Sequence, residues 1–373
     1  MKLQDFKLER YFAKYEFNAP YLLCCSDCES YTIKEILALD GERAASAFDN
    51  QWLGYTESLG NPELRRQIAA LYRTMEDRDV LVTSGAEEAI FIFMNIALEQ
   101  GDHVIVQYPC YQSLFEIARS IGCEVTKWEM KEENNWELDL DFLKDNIREN
   151  TRAIIINSPH NPTGYLPSQE KFNSIIELAG NKGILLFSDE VYRCLEYDEA
   201  DRLEAACDLY ENAVSLGVMS KTYGLAGLRI GWVATKNSGI FHKMASFKDY
   251  TSICNSAPSE FLAALALKHH QQLAQRNLTI IKDNLSELDL FFAKYPELFD
   301  WRRPKAGPIA FPSIKWGDPV ENFCTDVVNS KGVLLLPGNY YDFGNRNFRI
   351  GFGRKNMPAC VEKLDEYLRE KSL

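Results

Sequence analysis

The feature that most constrains the fold is a repeated alternation of apolar and amphipathic segments between residues 80 and 236. Seven apolar runs are predicted strands: DVLVTSG, HVIVQYP, EVTKWEM, RAIIIN, GILLFSD, AVSLGVMS and RIGWVAT. The predicted helices are AEEAIFIFMNIALEQGD, ending at Gly101, then YQSLFEIARSIG, and PSQEKFNSIIELAGNKG, capped by Ser168. Apolar strands that alternate with helices are typical of a mainly parallel sheet covered on both faces. We therefore predict the α/β class, with a large domain built on a seven-stranded sheet between helices.

The C-terminal part of the chain has a different pattern. GPIAFPSI, GVLLLPG and NFRIGFG are short predicted strands, and PACVEKLDEYLREKSL is a predicted amphipathic helix that continues to residue 373. This pattern indicates a smaller α+β domain. We expect residues 1–45 to form an N-terminal arm and part of the small domain, residues 46–270 the large domain, and residues 271–373 the small C-terminal domain.

The charge of the chain limits its partners. A net charge of −13 argues against binding to nucleic acid or to an anionic membrane surface. No apolar run approaches the roughly 20 residues that a membrane span needs. The start, MKLQDFKLERYFAKYEF, is interrupted by charges and does not resemble a signal peptide. We therefore expect a cytoplasmic protein whose cysteines are reduced.

The segment CCSDC places Cys25 and Cys28 at C-x-x-C spacing. A structural zinc site needs four ligands, usually with a second pair at similar spacing. The other cysteines are scattered, and the five histidines show no metal-binding spacing. Packed thiols are therefore the favoured interpretation, with metal or redox chemistry as the alternative, and we predict no metal site.

Small and polar residues follow several of the predicted strands. In parallel sheets, ligands bind at the carboxyl ends of the strands. Gly85 and Ala86 open a helix after DVLVT, where backbone N–H groups can hold an anion, although a plain helix start is the alternative. The loop NSPHNPTG offers Asn161 after RAIII, and SDEVY offers Asp189 and Tyr192 after GILLF. A surface carboxylate is the alternative for Asp189.

Lys221 stands between an apolar run and the glycine-rich stretch TYGLAGLRIGW, and Arg229 follows it. Burying an unpaired ammonium is costly, so a lysine in this setting needs a chemical reason. The G-x-G-x-x-G and Walker fingerprints of nucleotide-binding proteins are both absent.

The segments NPTG, SDEVY and SKTYGLAGLRIGW, in this order, resemble the class I/II aminotransferases, which are pyridoxal phosphate (PLP) enzymes of fold type I. The similarity runs from WLGYTESLGNPELRRQIA, near residue 52, to NFRIGFGR at residues 347–354. Each motif alone is weak, but these three in order, within a similarity that covers most of the chain, are specific.

The resemblance implies a role for each matching residue. Lys221 would form the Schiff base with PLP, and a lysine desolvated near Arg229 has a lowered pKa that suits a nucleophile. Arg229 would bind the cofactor phosphate together with Ser220 and the amides of Gly85 and Ala86.

The ring of the cofactor has its own set of implied contacts. Asp189 would keep the pyridine nitrogen protonated, so that the ring accepts electrons. Asn161 and Tyr192 would hold the phenolic oxygen, and Tyr111 would stack on the ring. Lys221, Asp189 and Tyr192 are the implied catalytic set.

Two further residues are assigned by the same resemblance. Arg349, with Asn161 beside it, would bind the α-carboxylate of the substrate, because a planar guanidinium can do so bidentately. Tyr55 matches a tyrosine that reaches the cofactor phosphate of the neighbouring subunit in a homodimer, and a core or turn aromatic is the alternative.

The sequence departs from the family pattern at two places. Val218 occupies a position that often carries a phosphate-binding hydroxyl. The segment CCSDCESYTIKEIL replaces the usual N-terminal stretch and is similar to that of capreomycidine synthase-like members, PLP enzymes that cyclise an arginine derivative.

We therefore expect a PLP-dependent aminotransferase that moves the amino group of an L-amino acid to a 2-oxo acid. The alternative is a PLP-dependent lyase or cyclase. A ligand-sensing regulator is disfavoured, because no basic segment of helix-turn-helix size precedes residue 50 or follows residue 350.

Overall fold

The computed structural model describes residues 2–371. The helices are α1 Lys7–Tyr15, α2 Ile33–Ala38, α3 Glu42–Asp49, α4 Pro62–Ala69, α5 Ala86–Ala97, α6 Ser113–Ile121, α7 Leu140–Asn146, α8 Gln169–Lys182, α9 Ala206–Leu209, α10 Ser238–Lys248, α11 Ala257–Lys268, α12 His270–Lys294, α13 Val320–Lys331 and α14 Met357–Glu370. The strands are β1 Tyr21–Leu22, β2 Val80–Thr83, β3 His103–Tyr108, β4 Glu124–Glu129, β5 Thr151–Asn157, β6 Leu185–Asp189, β7 Ala213–Val218, β8 Gly231–Ala234, β9 Phe299–Asp300, β10 Ile309–Ala310, β11 Ser313–Ile314, β12 Val333–Leu334, β13 Leu336–Pro337 and β14 Phe348–Gly351.

The predicted sheet is confirmed. It has seven strands in the order β2-β8-β7-β6-β5-β3-β4. Strands β4, β3, β5, β6 and β7 are parallel to one another, whereas β8 runs antiparallel to both β7 and β2. The carboxyl ends of the parallel strands therefore meet at one edge, which is where the predicted site residues lie.

Burial explains why these segments form central strands. Every residue of β2, β3, β6, β7 and β8 is buried, as expected for strands with helices on both faces. The apolar side of α5 packs into the same core, through residues such as Ile90, Phe93 and Met94. The edge strand β4 is less buried: Trp128 is buried, whereas Glu124 and Glu129 at its two ends are exposed.

Capping residues and local backbone conformation explain where the helices begin and end. Ser168 caps α8 by accepting a hydrogen bond from the N–H of Lys171, and Gly183 ends the helix in the left-handed conformation, as predicted. The predicted end of α5 at Gly101 is wrong, because the helix ends at Ala97. Leu98 adopts an extended backbone and buries its side chain in the core, and this stops the helix.

The C-terminal strands are shorter than predicted. GPIAFPSI forms two strands, because β10 pairs with β14 and β11 pairs with β9. GVLLLPG also forms two strands, because β12 pairs with β1 and β13 pairs with β14. NFRIGFG forms β14, which lies between β10 and β13. Helix α14 is present, and the last two residues of the predicted helix, 372–373, lie outside the described residues.

The N-terminal segment joins the C-terminal part of the chain. Tyr21 and Leu22 in β1 pair in parallel with Val333 and Leu334 in β12. Tyr11 in α1 also donates a hydrogen bond to the carbonyl of Leu335, over 2.7 Å. The exact domain boundaries given above stay a prediction. Within residues 2–371, no helix combines the length and apolarity needed to cross a bilayer.

Candidate active site

A cavity of about 450 Å³ lies at the carboxyl ends of β5, β6 and β7. It brings together most of the residues predicted from the sequence: Ala86, Tyr111, Asn161, Asp189, Tyr192, Ser220, Lys221, Arg229 and Arg349. Gly85 lies against the guanidinium of Arg229, at the edge of the same cavity. Tyr55 does not line the cavity of its own chain and is 86% exposed.

Lys221 follows β7 and points into the cavity, where its Nζ donates a hydrogen bond to Ser26 Oγ over 2.9 Å. Burial lowers the pKa of this amine, the nearby charge of Arg349 lowers it further, and Asp27 and Asp189 act in the opposite direction. A larger fraction of the amine is therefore neutral, and the neutral form is the nucleophile.

Asp189 ends β6, and its carboxylate faces the cavity. Its backbone carbonyl accepts a hydrogen bond from Asn157 Nδ2 over 2.9 Å, and its Oδ1 accepts one from the N–H of Val191 over 3.2 Å. Burial raises the pKa of Asp189 to about 7, against the opposing effects of the Val191 N–H and the charge of Lys221. A buried carboxyl of this kind gains most by pairing with a cationic ring nitrogen.

Tyr192 is 1% exposed, and its phenolic oxygen has no hydrogen-bond partner among residues 2–371. Buried hydroxyls are normally paired, so this oxygen is suited to a polar atom of a bound molecule. The side-chain oxygen of Asn161 accepts bonds from Tyr341 Oη, over 3.0 Å, and from Arg349 Nη1, over 3.3 Å. The Asn161 amide is thereby fixed beside the same space.

Arg349 lies on β14 and is 1% exposed. Its Nε donates to the carbonyl of Cys24 over 2.9 Å, and its Nη1 donates to Tyr341 Oη over 2.6 Å. Among residues 2–371, no carboxylate forms an ion pair with this guanidinium. A buried arginine keeps its charge, so the Arg349 guanidinium is suited to bind an anionic ligand in the cavity.

An anion-binding end of the cavity is formed by the start of α5. Gly85 precedes the helix with φ +90°, and no side chain caps the free N–H groups. A Cβ atom at Gly85 would lie 2.6 Å from Arg229 Nη2, so the glycine allows the guanidinium to lie against the backbone. Helix amides beside an arginine are suited to bind a phosphate. Ser220 and Val218 also line the cavity, and Val218 has no hydroxyl to offer.

Tyr111 lines the cavity and contacts the N-terminal segment. Its hydroxyl donates to Glu9 Oε1 over 2.9 Å, and its ring packs on Phe6 with the centroids 4.9 Å apart. The N-terminal helix α1 therefore holds the aromatic residue that was predicted to stack on the cofactor.

The N-terminal segment forms a part of the wall that was not predicted from the sequence. Those residues are Leu8, Glu9, Phe12, Glu16, Cys25, Ser26 and Asp27. Glu87 and Arg354 were missed as well, and Arg354 binds Asp27 through two hydrogen bonds of 3.0 and 2.8 Å. The apolar spacing of Leu8 and Tyr11 could have indicated a packed helix, but nothing in it shows which surface the helix covers. Cys25 and Cys28 are buried free thiols.

The comparisons with known proteins agree with this site. The family model for aminotransferase class I and II matches residues 31–367. The capreomycidine synthase of Streptomyces vinaceus is 29% identical over 98% of this chain and 94% of its own length. A PLP-dependent aminotransferase structure from Streptococcus suis 89-1591 is 34% identical, covers 99% of both chains and has a TM-score of 0.94. The structure of the PLP-dependent cyclase OrfR is 29% identical, covers 100% of this chain and 98% of its own, and has a TM-score of 0.91.

The residues of the cavity fit PLP, the cofactor that the comparisons indicate. The unpartnered oxygen of Tyr192, the uncapped start of α5 beside Arg229, and the buried carboxyl of Asp189 match its phenolic oxygen, phosphate and ring nitrogen. The protein is therefore a PLP-dependent enzyme of fold type I. The predicted resemblance is confirmed, and the chain belongs to the family of class I and II aminotransferases.

Proposed function

We propose that the enzyme transfers the amino group of an L-amino acid to a 2-oxo acid. The observation that carries this proposal is the buried Arg349, which has no carboxylate partner among residues 2–371. An α-carboxylate is common to an amino acid and to the 2-oxo acid formed from it. One guanidinium can therefore orient both substrates of the two half-reactions in the same cavity.

The chain's own residues provide the acid–base chemistry. When bound, PLP supplies an aldehyde carbon for the amino group and a ring that accepts electrons. The neutral amine of Lys221 is suited to accept the proton from the substrate Cα and to return it at the cofactor carbon. Ser26 holds Nζ by its 2.9 Å hydrogen bond, and Tyr192 Oη is available to donate to the phenolic oxygen. Asp189 keeps the ring nitrogen charged.

A second candidate is PLP-dependent cyclisation or elimination. It is favoured by the similarity to capreomycidine synthase and to OrfR, which extends over 98% and 100% of this chain and so includes the N-terminal segment. That segment forms one wall of the cavity. The two reactions use the same lysine and aspartate, and they differ in whether a group leaves the substrate Cβ.

A single-turnover experiment separates the two candidates. The PLP-loaded enzyme is mixed with a panel of L-amino acids in the absence of any 2-oxo acid. Amino transfer predicts one 2-oxo acid released per active site and a cofactor left as pyridoxamine phosphate, until an added 2-oxo acid restores it. Many turnovers without an added 2-oxo acid, with the PLP spectrum retained, would reject amino transfer in favour of cyclisation or elimination.

A further inference from the structure

A network of hydrogen bonds joins the turn before α5 to the loop between α10 and α11, which covers residues 249–256. The carboxylate of Glu88, in the first turn of α5, lies between the two. Its Oε2 accepts a hydrogen bond from the N–H of Ser84 in the turn, over 2.5 Å. Its Oε1 accepts bonds from the loop, from Thr251 Oγ1 over 2.6 Å and from the N–H of Ser252 over 3.2 Å. One side chain therefore fastens the turn to the loop.

The turn belongs to the end of the cavity that is assigned to the cofactor phosphate. Gly85 follows Ser84 and lies against the guanidinium of Arg229. The loop reaches the same turn a second time, because the buried Asn255 donates from its Nδ2 to Ser84 Oγ over 3.4 Å. The loop thus contacts both the backbone side and the side chain of the turn.

The charge of Glu88 and its hydrogen bonds act on a bound phosphate in opposite directions. A negative charge near the phosphate opposes its binding, whereas fixed N–H donors at the start of a helix favour it. Among residues 2–371, no basic side chain forms an ion pair with Glu88. Its three donors are two backbone N–H groups and one hydroxyl, and all of them are neutral. Removing the charge alone therefore shows which contribution is larger.

The loop itself is held by Lys248, the last residue of α10, which is 1% exposed. Its Nζ donates to the carbonyl of Ser58 and to the carbonyl of Ile253, the latter over 3.1 Å. Burial lowers the pKa of this amine, and the nearby charges of Glu88 and Glu260 act in the opposite direction. A buried ammonium is costly, so its bonds to two backbone carbonyls are a specific constraint on the chain.

The backbone of Ile253 is strained. Its φ of +64° lies in the left-handed region, which a β-branched residue rarely adopts. The N–H of Ile253 donates to the carbonyl of Lys248 over 3.1 Å, and its own carbonyl accepts from Lys248 Nζ, so one lysine holds both sides of this residue. Such strain persists only where the surroundings over-determine the conformation, and it is concentrated at functional sites.

We infer that Glu88 and Lys248 are positioning residues for the cofactor phosphate. Lys248 fixes the loop, and the loop fixes the turn through Glu88, so that the N–H groups of Gly85 and Ala86 are held in place for the phosphate. Neither residue lines the cavity, so both act through other groups. The inference rests on PLP as the cofactor and on the phosphate end assigned above, and it holds for amino transfer and cyclisation alike.

The test compares PLP with pyridoxal, which has the same ring and aldehyde but no phosphate. Fluorescence titration of the cofactor-free protein gives the affinity for each, and the ratio of the two affinities measures the phosphate contacts. Glu88→Gln keeps the shape of the side chain, removes its charge and leaves one acceptor oxygen for three donors. We expect its preference for PLP over pyridoxal to be at least about fivefold lower than that of the wild type. An unchanged or higher preference would overturn the role of Glu88.

A second variant breaks the same link without changing any charge. Thr251→Val removes the hydroxyl that donates to Glu88 and keeps the shape of the side chain. It should lower the preference for PLP severalfold, which keeps the test decisive if Glu88→Gln folds poorly. The control is Glu99→Gln, an exposed position beyond the other end of α5, which should leave the preference unchanged. Equal preferences in Thr251→Val and in the control would overturn the link between loop and turn.

Lys248→Met tests the other end of the network. It should also lower the preference for PLP severalfold, and urea unfolding records stability separately, because replacing a buried charge with an apolar side chain can raise stability. An unchanged preference would overturn the role of Lys248. In the double variant with Glu88→Gln, the two losses should be less than additive, because both residues act through one loop. Full additivity would overturn this shared path.

Arg229→Gln separates a failure of the inference from a failure of the phosphate assignment. If this variant keeps the wild-type preference for PLP, the phosphate is not bound at this end of the cavity, and the inference is wrong together with the assignment. If Arg229→Gln loses the preference while Glu88→Gln and Lys248→Met keep it, the assignment stands and the inference alone is wrong.

Discussion

Two basic residues of the cavity, Lys221 and Arg349, respond to burial in opposite ways. A lysine can lose its proton when it is buried, and burial lowers the pKa of Lys221 accordingly. An arginine cannot do so, and Arg349 keeps its charge without an ion-pair partner among the described residues. The first residue is thereby prepared as a nucleophile and the second as an anion-binding site, and both properties follow from burial.

Replacing Arg349 with lysine tests its role in binding. A point ammonium cannot reproduce the planar, two-donor contact to a carboxylate, so Arg349→Lys should weaken amino-acid binding by about tenfold or more. The affinity of the wild-type enzyme for an amino acid should also exceed its affinity for the corresponding amide. Spectral titration of the loaded enzyme measures both quantities. Equal affinity for the acid and the amide in the wild-type enzyme would remove Arg349 from this role.

Asp189 makes the stability of the cofactor-free protein dependent on pH. Burial raises its pKa to about 7, from an ordinary value of 3.8, so the folded protein binds this proton more tightly than the unfolded chain does. The carboxyl therefore costs nothing near about pH 3 and becomes destabilising as the pH rises through 4 to about 7. Asp189→Asn should stabilise the cofactor-free protein near about pH 8, by at most about 4 kcal/mol, and not near about pH 3.

Urea unfolding at the two pH values measures this difference, with the exposed Asp145→Asn as the control. The same Asp189→Asn protein should still bind PLP but turn over slowly, because an amide cannot keep the ring nitrogen charged. Two results together would place Asp189 outside the site: an Asp189→Asn protein that is no more stable than the wild type near about pH 8, and one whose single-turnover rate equals that of the wild type.

At the scale of secondary structure, the sequence predicted the elements whose pattern is local. Most of strands β2 to β8 are runs of apolar residues bounded by turn residues, so their order along the chain already indicated the sheet. The polar residues that end β5 and β6 were found because parallel strands end at the same edge. The positions of Asn161, Asp189 and Lys221 after strand ends were therefore enough to predict them as site residues.

The N-terminal wall could not be predicted in this way, because its position depends on distant packing. Helix α1 is held over the cavity by the hydrogen bonds from Tyr11 to Leu335 and from Tyr111 to Glu9, which join residues more than 100 positions apart. The early end of α5 has the same kind of cause, since Leu98 is extended in order to fill the core. Neither the position of α1 nor the end of α5 can be read from a local sequence pattern.

Two glycines with nearly the same positive φ test the phosphate end of the site. Gly85 and Gly101 have φ values of +90° and +89°, so alanine is strained at both, by about 1–3 kcal/mol. Only at Gly85 would the added Cβ meet another group, Arg229 Nη2 at 2.6 Å, whereas nothing lies within 4 Å at Gly101. Gly85→Ala should weaken PLP binding about tenfold or more, and Gly101→Ala should not.

Fluorescence titration of the cofactor-free proteins with PLP measures this comparison, and urea unfolding records the stability of each variant. If the two variants lose PLP affinity equally, the loss follows from backbone strain alone, and Gly85 has no special role in the phosphate site.

At the scale of the whole molecule, several large apolar side chains are exposed on two neighbouring segments. Trp52, Leu53, Tyr55 and Tyr250 are all largely exposed, and a hydrogen bond from Thr56 to the carbonyl of Asn255 joins the two segments close to them. Exposed apolar side chains that gather on one face are typical of an interface between proteins. We propose a homodimer in which Tyr55 contacts the cofactor phosphate of the neighbouring subunit, as predicted from the sequence.

Mixed dimers test whether Tyr55 acts across the interface. Tyr55→Phe should weaken PLP retention about tenfold, as expected for the loss of a charge-assisted hydrogen bond. In a dimer of one Tyr55→Phe chain and one Lys221→Ala chain, action in trans gives one site with both defects and one with neither. About half the wild-type activity should then return. If activity does not exceed that of a Tyr55→Phe site alone, Tyr55 does not act in trans.

We propose that Lys221 is the residue that binds PLP covalently in this cavity. The most direct test is borohydride reduction of the PLP-loaded enzyme, which fixes the cofactor covalently to the amine that bears it, followed by peptide mass spectrometry. We predict one modified peptide, with the added mass on Lys221, and no modification in Lys221→Ala, which should bind PLP only non-covalently and lose at least about a hundredfold in turnover. Modification of a different lysine, or a Lys221→Ala protein that keeps its activity, would contradict the account.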